Sequence, residues 1–236
     1  MSKVWMTKAD LVTKYMGFPS LSNGYDAQRE MFLNSAIQDS RTSDEKRAEY
    51  RDETLQLMDL IHSEEKLYRN FKPINSEPLK VVLWPKKPIT EDFIYMSGRY
   101  VFVREDFAEI LMQFNVGQTK LFNVGCPLAR NGQVIYDREF YLLNVTEWRN
   151  YFIPEKSELL YPLSIQNDGY NLYSLGDGSF RKSKVTLSKQ SLACDVDIWH
   201  DPMILNSIFF SDRLKNALDE KGLLAQTKHK KCLVLI

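Results

Sequence analysis

An α+β architecture is expected of this chain: a helical N-terminal region followed by a mixed or antiparallel sheet domain with packed helices. Three observations predict it. Residues 1 to about 75 carry helical spacing and helix punctuation. Pro73 to Pro78 then reads as a linker, after which short apolar runs alternate with proline and glycine breaks. The stretch from Val196 to Ile236 reads as a loop, a strand, a capped helix and a closing strand. These set the expected division, a helical extension over 1–75 and an α+β domain over 79–236.

In the first region, Thr7 is placed to cap a helix through Met16, ended by Gly17 and Pro19. Residues 25–38 form a second helix with Met31, Phe32 and Ile37 on it. Thr42-Ser-Asp-Glu45 has the pattern of a capping box, in which the hydroxyl and the carboxylate satisfy free amides reciprocally. The long helix that follows reaches about Phe71. Leu57, Leu60, Ile61, Leu67, Tyr68 and Phe71 line one side, and Glu45, Lys46, Arg47, Asp52, Glu64 and Glu65 crowd the other. A solvated face is the plain reading of that charge, and an acidic docking face at Glu64-Glu65 the sharper one.

Beyond the linker, Leu79 to Trp84, Phe93 to Met96 and Tyr100 to Val103 are strands, and Arg104 to Phe114 is a helix with Phe107, Ile110, Leu111 and Phe114 on one stripe. Asn131-Gly132 is the preferred pair for a tight hairpin turn between Leu121–Val124 and the run Val134–Tyr136 with Phe140–Val145; a bulge is expected near Asp137 to Glu139. Short strands and glycine turns, including Gly176-Asp-Gly178, fill 160–190, and Val185 to Leu187 is the last strand before the terminal unit. There Ile208 to Phe210 is a buried strand, Ser211 caps a helix, and Leu214, Ala217 and Leu218 form its apolar stripe. Gly222 closes the helix in a left-handed cap, and Cys232 to Ile236 is a final strand. The pattern of YVFVREDFAEILMQF from Tyr100 recurs in SIFFSDRLKNALDEK from Ser207, and Gln118-Thr-Lys120 recurs as Gln226-Thr-Lys228. Two strand–helix units packed in related ways on one sheet would produce such an echo.

Composition narrows function. The 31 basic and 31 acidic residues cancel, which argues against a nucleic-acid binder and gives no general attraction to anionic membranes. No apolar run is long enough to cross a bilayer, and the N-terminus lacks a signal-peptide core, so the cytosol is the expected compartment. Three cysteines at wide spacings, Cys126, Cys194 and Cys232, do not make a disulfide framework.

Catalytic signatures are weak. Asp195-Val-Asp197-Ile-Trp-His200-Asp201 gathers three carboxylates and an imidazole, yet its spacing matches no calcium loop, zinc site or helical metalloprotease motif. Cys194 and His200 are close in sequence, which is not how a thiol–imidazole pair is normally assembled. Gly176-Asp-Gly178 lacks the context of a phosphate loop, and no serine elbow is present. No catalytic residue, metal site or cofactor is therefore assigned. The aromatics Trp148, Tyr151 and Phe152 beside Arg149, followed by Tyr170 and Tyr173, are the residue types that anchor protein interfaces.

From about residue 79 to 236 the chain resembles the family-eleven immunity-protein domain of bacterial polymorphic toxin systems. The residues that carry this are Phe140-Tyr-Leu-Leu-Asn-Val145, Val196-Asp-Ile-Trp-His-Asp-Pro202 and Ile208-Phe-Phe-Ser-Asp-Arg-Leu-Lys-Asn-Ala-Leu218, with the glycine at 222. The resemblance implies a cytosolic protein without enzyme activity that binds a co-encoded toxin domain, commonly one delivered by contact-dependent secretion, and neutralises it by occlusion. Its partner would be that protein, with no nucleic acid and no membrane involved. The interface candidates are Glu64, Glu65, Trp148, Arg149, Tyr151, Phe152, Tyr170, Tyr173, Asp195 and Asp197. An enzyme that reverses a toxin-made modification through Asp195 to Asp201, and a non-enzymatic adaptor, are the alternatives.

Overall fold

Val4-Trp5-Met6-Thr7 is rich in the β-branched and aromatic residues that suit a pleated surface, and it forms an inner strand rather than the start of a helix. The structure is a computed structural model that describes residues 3–8, 15–16, 27–69, 84–85, 93–95, 101–126, 134, 137–167, 169–175, 180, 182–205, 207–225 and 228–235. In chain order the strands and helices are β1 (Val4–Lys8), β2 (Tyr15–Met16), α1 (Ala27–Gln38), α2 (Asp44–Arg69), β3 (Trp84–Pro85), β4 (Phe93–Tyr95), β5 (Val101–Arg104), α3 (Glu105–Leu111) and β6 (Lys120–Gly125). There follow β7 (Phe140–Asn144), β8 (Leu160–Asn167), β9 (Tyr170–Leu175), β10 (Thr186–Leu187), β11 (Ile198–Trp199), β12 (Ser207–Ser211), α4 (Asp212–Glu220), β13 (His229–Lys231) and β14 (Leu233–Val234).

Helices and antiparallel sheets are thus combined as expected, but two expectations for the first region need correction. Thr7 does not cap a helix: its hydroxyl donates to the Lys228 carbonyl at 2.8 Å, and Tyr15–Met16 is strand β2, paired with β3. Propensity is a weak prior, and two flanking strands that leave a slot for β1 override it. Residues 4–8 therefore share a sheet with 207–211 and 229–231. Helices α1 and α2 do form, with Leu33 buried and Phe32 edge-on to Tyr50 at 6.0 Å. The cap of α2 is Ser43 rather than Thr42, its hydroxyl accepting from the Lys46 amide at 3.4 Å.

Among the described residues there are two four-stranded sheets, ordered β11-β12-β1-β13 and β4-β5-β7-β6. The two strand–helix units of the sequence echo therefore sit on separate sheets, not on one. Their helices pack on a shared core in which Val101, Val103, Phe107 and Leu111 meet Ile208, Phe210, Leu214 and Leu218. Strand alternation sends Val4, Met6 and Phe209 to the opposite face, where they pack with Trp199, Phe152, Leu187 and Ile204 in a second core. The sheet containing β1 is consequently buried on both sides.

The ends of α4 follow the sequence. Ser211 Oγ accepts from the Leu214 amide at 3.2 Å. At the other end Gly222 adopts φ +72°, the Leu223 amide reaches the Leu218 carbonyl and the Gly222 amide that of Asp219. That is the paired closure of a Schellman cap, with Leu218 and Leu223 both in the core. The bulge in the β6–β7 ladder falls between Asn123 and Gly125, on the opposite strand from the one expected. Asn131-Gly132, Gly176 to Gly178, Gly17, Pro19, the linker 73–78 and the run 79–83 lie outside the described residues.

Candidate functional site

After β7 the chain continues extended and lies beside β11. Trp148 pairs in parallel with His200 through bonds from the Arg149 amide to the His200 carbonyl and from the His200 amide to the Glu147 carbonyl, both 3.0 Å. In extended chain alternate residues share a face. Glu147, Arg149 and Tyr151 accordingly lie together, and Trp148 is directed the other way, 54% exposed.

Arg149 is the centre of the first face. It donates to Asp195 Oδ1 at 2.7 Å and to Glu147 Oε2 at 2.9 Å. Burial would weaken its charge, but these two carboxylates outweigh that and raise its affinity for the proton. In return the guanidinium holds Asp195 below the usual carboxylate range, although the Asp195 side chain is 74% exposed. Glu147 Oε1 accepts from the Gln118 amide at 2.6 Å. That contact needs Gly117, since φ there is +60° and a Cβ would collide with the Glu147 carboxylate. Asn115 extends the network, its side-chain amide reaching the Asp195 carbonyl at 2.7 Å.

Asp197 ties the network to α4. Its carboxylate is 1% exposed and accepts from Arg213 Nε and Nη2 and from Ser211 Oγ at 2.5 Å, and from the Asn115 amide at 3.0 Å. This corrects its place among the interface candidates: the carboxylate is buried and covered by Arg213, Ser211 and Asn115. Phe152 is corrected too, because it is buried edge-on to Tyr173 at 5.5 Å in the second core. Tyr170 and Tyr173 are half-buried in the β8–β9 hairpin, and Tyr151 is half-buried edge-on to Trp199 at 6.2 Å. Glu64 and Glu65 fall on α2, but their side chains are outside what the structure describes.

The other titratable groups of 194–201 are turned to structural work. Asp201 is buried and accepts from the backbone amides of Tyr151, Phe152 and Met203 at 2.8–3.0 Å. Burial pushes its carboxyl up to about 6 against those three bonds. Burial also drives the His200 imidazole down to about 3, so it is neutral at pH 7. Cys194 sits against Tyr151, and burial raises both its thiol and the Tyr151 phenol, the latter to about 12. A raised thiol is a poor nucleophile. Among the described residues no three His, Cys, Asp or Glu side chains form a group able to hold a metal ion. No described helix is long and apolar enough to cross a membrane.

The arrangement sets a pinned backbone between an exposed indole on one side and a fixed, exposed carboxylate on the other. The sequence picked out Trp148, Arg149, Tyr151 and Asp195, and the structure brings the last three together. It missed Glu147, Asn115 and Arg213. Arg213 carried a signal, since a cation in the first turn of a helix opposes the helix dipole and needs a partner, here Asp197. A scan of the sequence against models of known protein families gives no match, and a search of curated proteins gives none either.

Proposed function

We propose that this chain is a cytosolic immunity protein that binds a cognate toxin domain and neutralises it by covering the toxin's active site or its route to substrate. The resemblance stated above supplies the idea. The observation that carries it furthest is Arg149, held between Glu147 and Asp195 on a backbone pinned to His200, which can dock on another protein without being ordered first, with the exposed Trp148 beside it in the chain. Preorganisation of that kind lowers the entropic cost of association. Aromatic anchors at a pinned backbone suit the slow dissociation an inhibitor of a lethal enzyme needs.

The test is a titration of the toxin encoded beside this gene. Inhibition is expected to be complete at one equivalent and to be lost in Asp195→Arg, which reverses an exposed charge while leaving the core alone. Full protection at a few hundredths of an equivalent would instead favour an enzyme that reverses the toxin's product. Absence of any protection would favour an adaptor.

A further inference from the structure

The two four-stranded sheets obey one plan. Each runs from an edge strand to the strand that enters a helix, then to an inner strand, then to the strand that follows the helix: β4-β5-β7-β6 and β11-β12-β1-β13. Every pairing in both is antiparallel.

Register makes the correspondence residue by residue. Phe102 faces Leu142 as Phe209 faces Met6, Val103 faces Tyr141 as Phe210 faces Trp5, and Arg104 faces Phe140 as Ser211 faces Val4. Across the inner strand, Leu142 faces Phe122 as Met6 faces Lys230, and Leu143 faces Leu121 as Thr7 faces His229. Continued by one residue, this second set carries Lys120 onto Lys228, the last residues of the two Gln-Thr-Lys triplets. Burial agrees independently. Val4, Met6 and Thr7 are buried and Trp5 is partly so, matching Phe140, Leu142, Leu143 and Tyr141. Phe107 and Leu111 likewise match Leu214 and Leu218, all fully buried.

One strand breaks the chain order. In the first sheet the inner strand β7 follows β6. In the second, the chain after β13 turns away as β14 to pair with β10, and the inner place is taken by β1, from before both units. We infer that the protein contains two copies of one strand–strand–helix–strand–strand unit, and that the slot between β12 and β13 is a strand-acceptor site filled by residues 4–8. The ligand class is an extended segment, apolar at the places of Val4 and Met6 and aromatic at that of Trp5. Its direction and register are read by the Trp5 indole, which donates to Asp212 Oδ1 at 2.8 Å beneath the Lys215 ammonium 4.3 Å from its ring, and by the bond from Thr7 to the Lys228 carbonyl. This inference stands apart from the proposed toxin partner.

The test begins with the folded full-length chain carrying a protease site inserted between Ser20 and Asn23. After cleavage the N-terminal fragment is expected to stay bound through gel filtration. It should exchange, one for one, with a labelled peptide of residues 1–12. The same peptide with Met6→Asp should be taken up at least a hundredfold less. Equal uptake of the two peptides, or unchanged amide exchange at Ile208 and His229 once the fragment is lost, would overturn the inference. A second measurement needs no cleavage. Val4→Cys with Ser211→Cys should cross-link under mild oxidation and Met6→Cys with Ser211→Cys should not; equal cross-linking, or none at the first pair, counts against the assigned register.

Discussion

Removing the Asp197 carboxylate tests how the two halves of the network are joined. In Asp197→Ala three donors lose their acceptor. Arg213 is 66% exposed and recovers water, so its share is about 1 kcal/mol. Ser211 keeps its role as cap for Leu214 and loses one bond, again about 1 kcal/mol. The backbone amide of Asn115, an exposed residue, loses a part-buried bond to a charged acceptor, at roughly 1–2 kcal/mol. The sum is about 3–4 kcal/mol. For a chain of 236 residues that lowers the melting temperature by roughly 6–16 °C, at about 2–4 °C per kcal/mol. Urea denaturation of Asp197→Ala and Arg213→Ala side by side gives the answer. The second leaves the buried carboxylate with only Ser211 and the Asn115 amide, but water can enter the exposed place of Arg213, so it should cost about 1–2 kcal/mol, less than the first. A loss below about 0.5 kcal/mol in Asp197→Ala, or equal losses in the two, would refute the reasoning. The same arithmetic makes Asp197 and Asp201 poor positions for testing function, since activity lost there reports a damaged fold.

Other outcomes follow from individual groups. His200 has a folded pKa of about 3 against an ordinary value of 6.5, so between those pH values the unfolded chain binds the extra proton and stability falls as pH falls. Asp201, raised to about 6 from 3.8, has the opposite sign between 3.8 and 6 and flattens the parent's profile. The stability gap between His200→Gln and the parent should therefore move in the variant's favour by about 2 kcal/mol from pH 7 to pH 5, by urea melts; a gap independent of pH would show that His200 titrates normally. Leu159 holds φ +60° with 49% of its surface exposed, a conformation that costs an L-residue about 1–2 kcal/mol. Leu159→Gly should gain about 0.5–1 kcal/mol after the added chain entropy of glycine, and a clear loss of stability would mean that the side chain makes a contact that matters.

How far the sequence could be read depended on how local the signal was. The α4 unit was legible to the residue because its cap, stripe and closing glycine are all local. The echo between Tyr100 and Ser207 was visible as a pattern, yet its two sheets were not, since strand partners are chosen by contacts far apart in the chain. For the same reason β1 was misread. Five residues suited to a strand cannot announce that β12 and β13, some two hundred positions away, leave room for them. In the candidate site, aromatic and arginine composition pointed to Trp148, Arg149 and Tyr151; the structure sets Arg149 and Tyr151 on one face of the extended chain and Trp148 on the other. Burial divided the acidic run: Asp195 outward, Asp197 and Asp201 inward. Spacing alone could not say which, because the break from extended chain at 194–197 resets the alternation.

The most direct measurement for the proposed function is the dissociation constant of a complex with the product of the neighbouring gene, for the parent and for Trp148→Ala. A one-to-one complex weakened at least about thirtyfold by the substitution, with the melting temperature of the free variant unchanged, is the predicted result. Unaltered affinity in Trp148→Ala and Asp195→Arg alike would place the contact on another face, and no complex at micromolar concentration would remove the proposed function altogether.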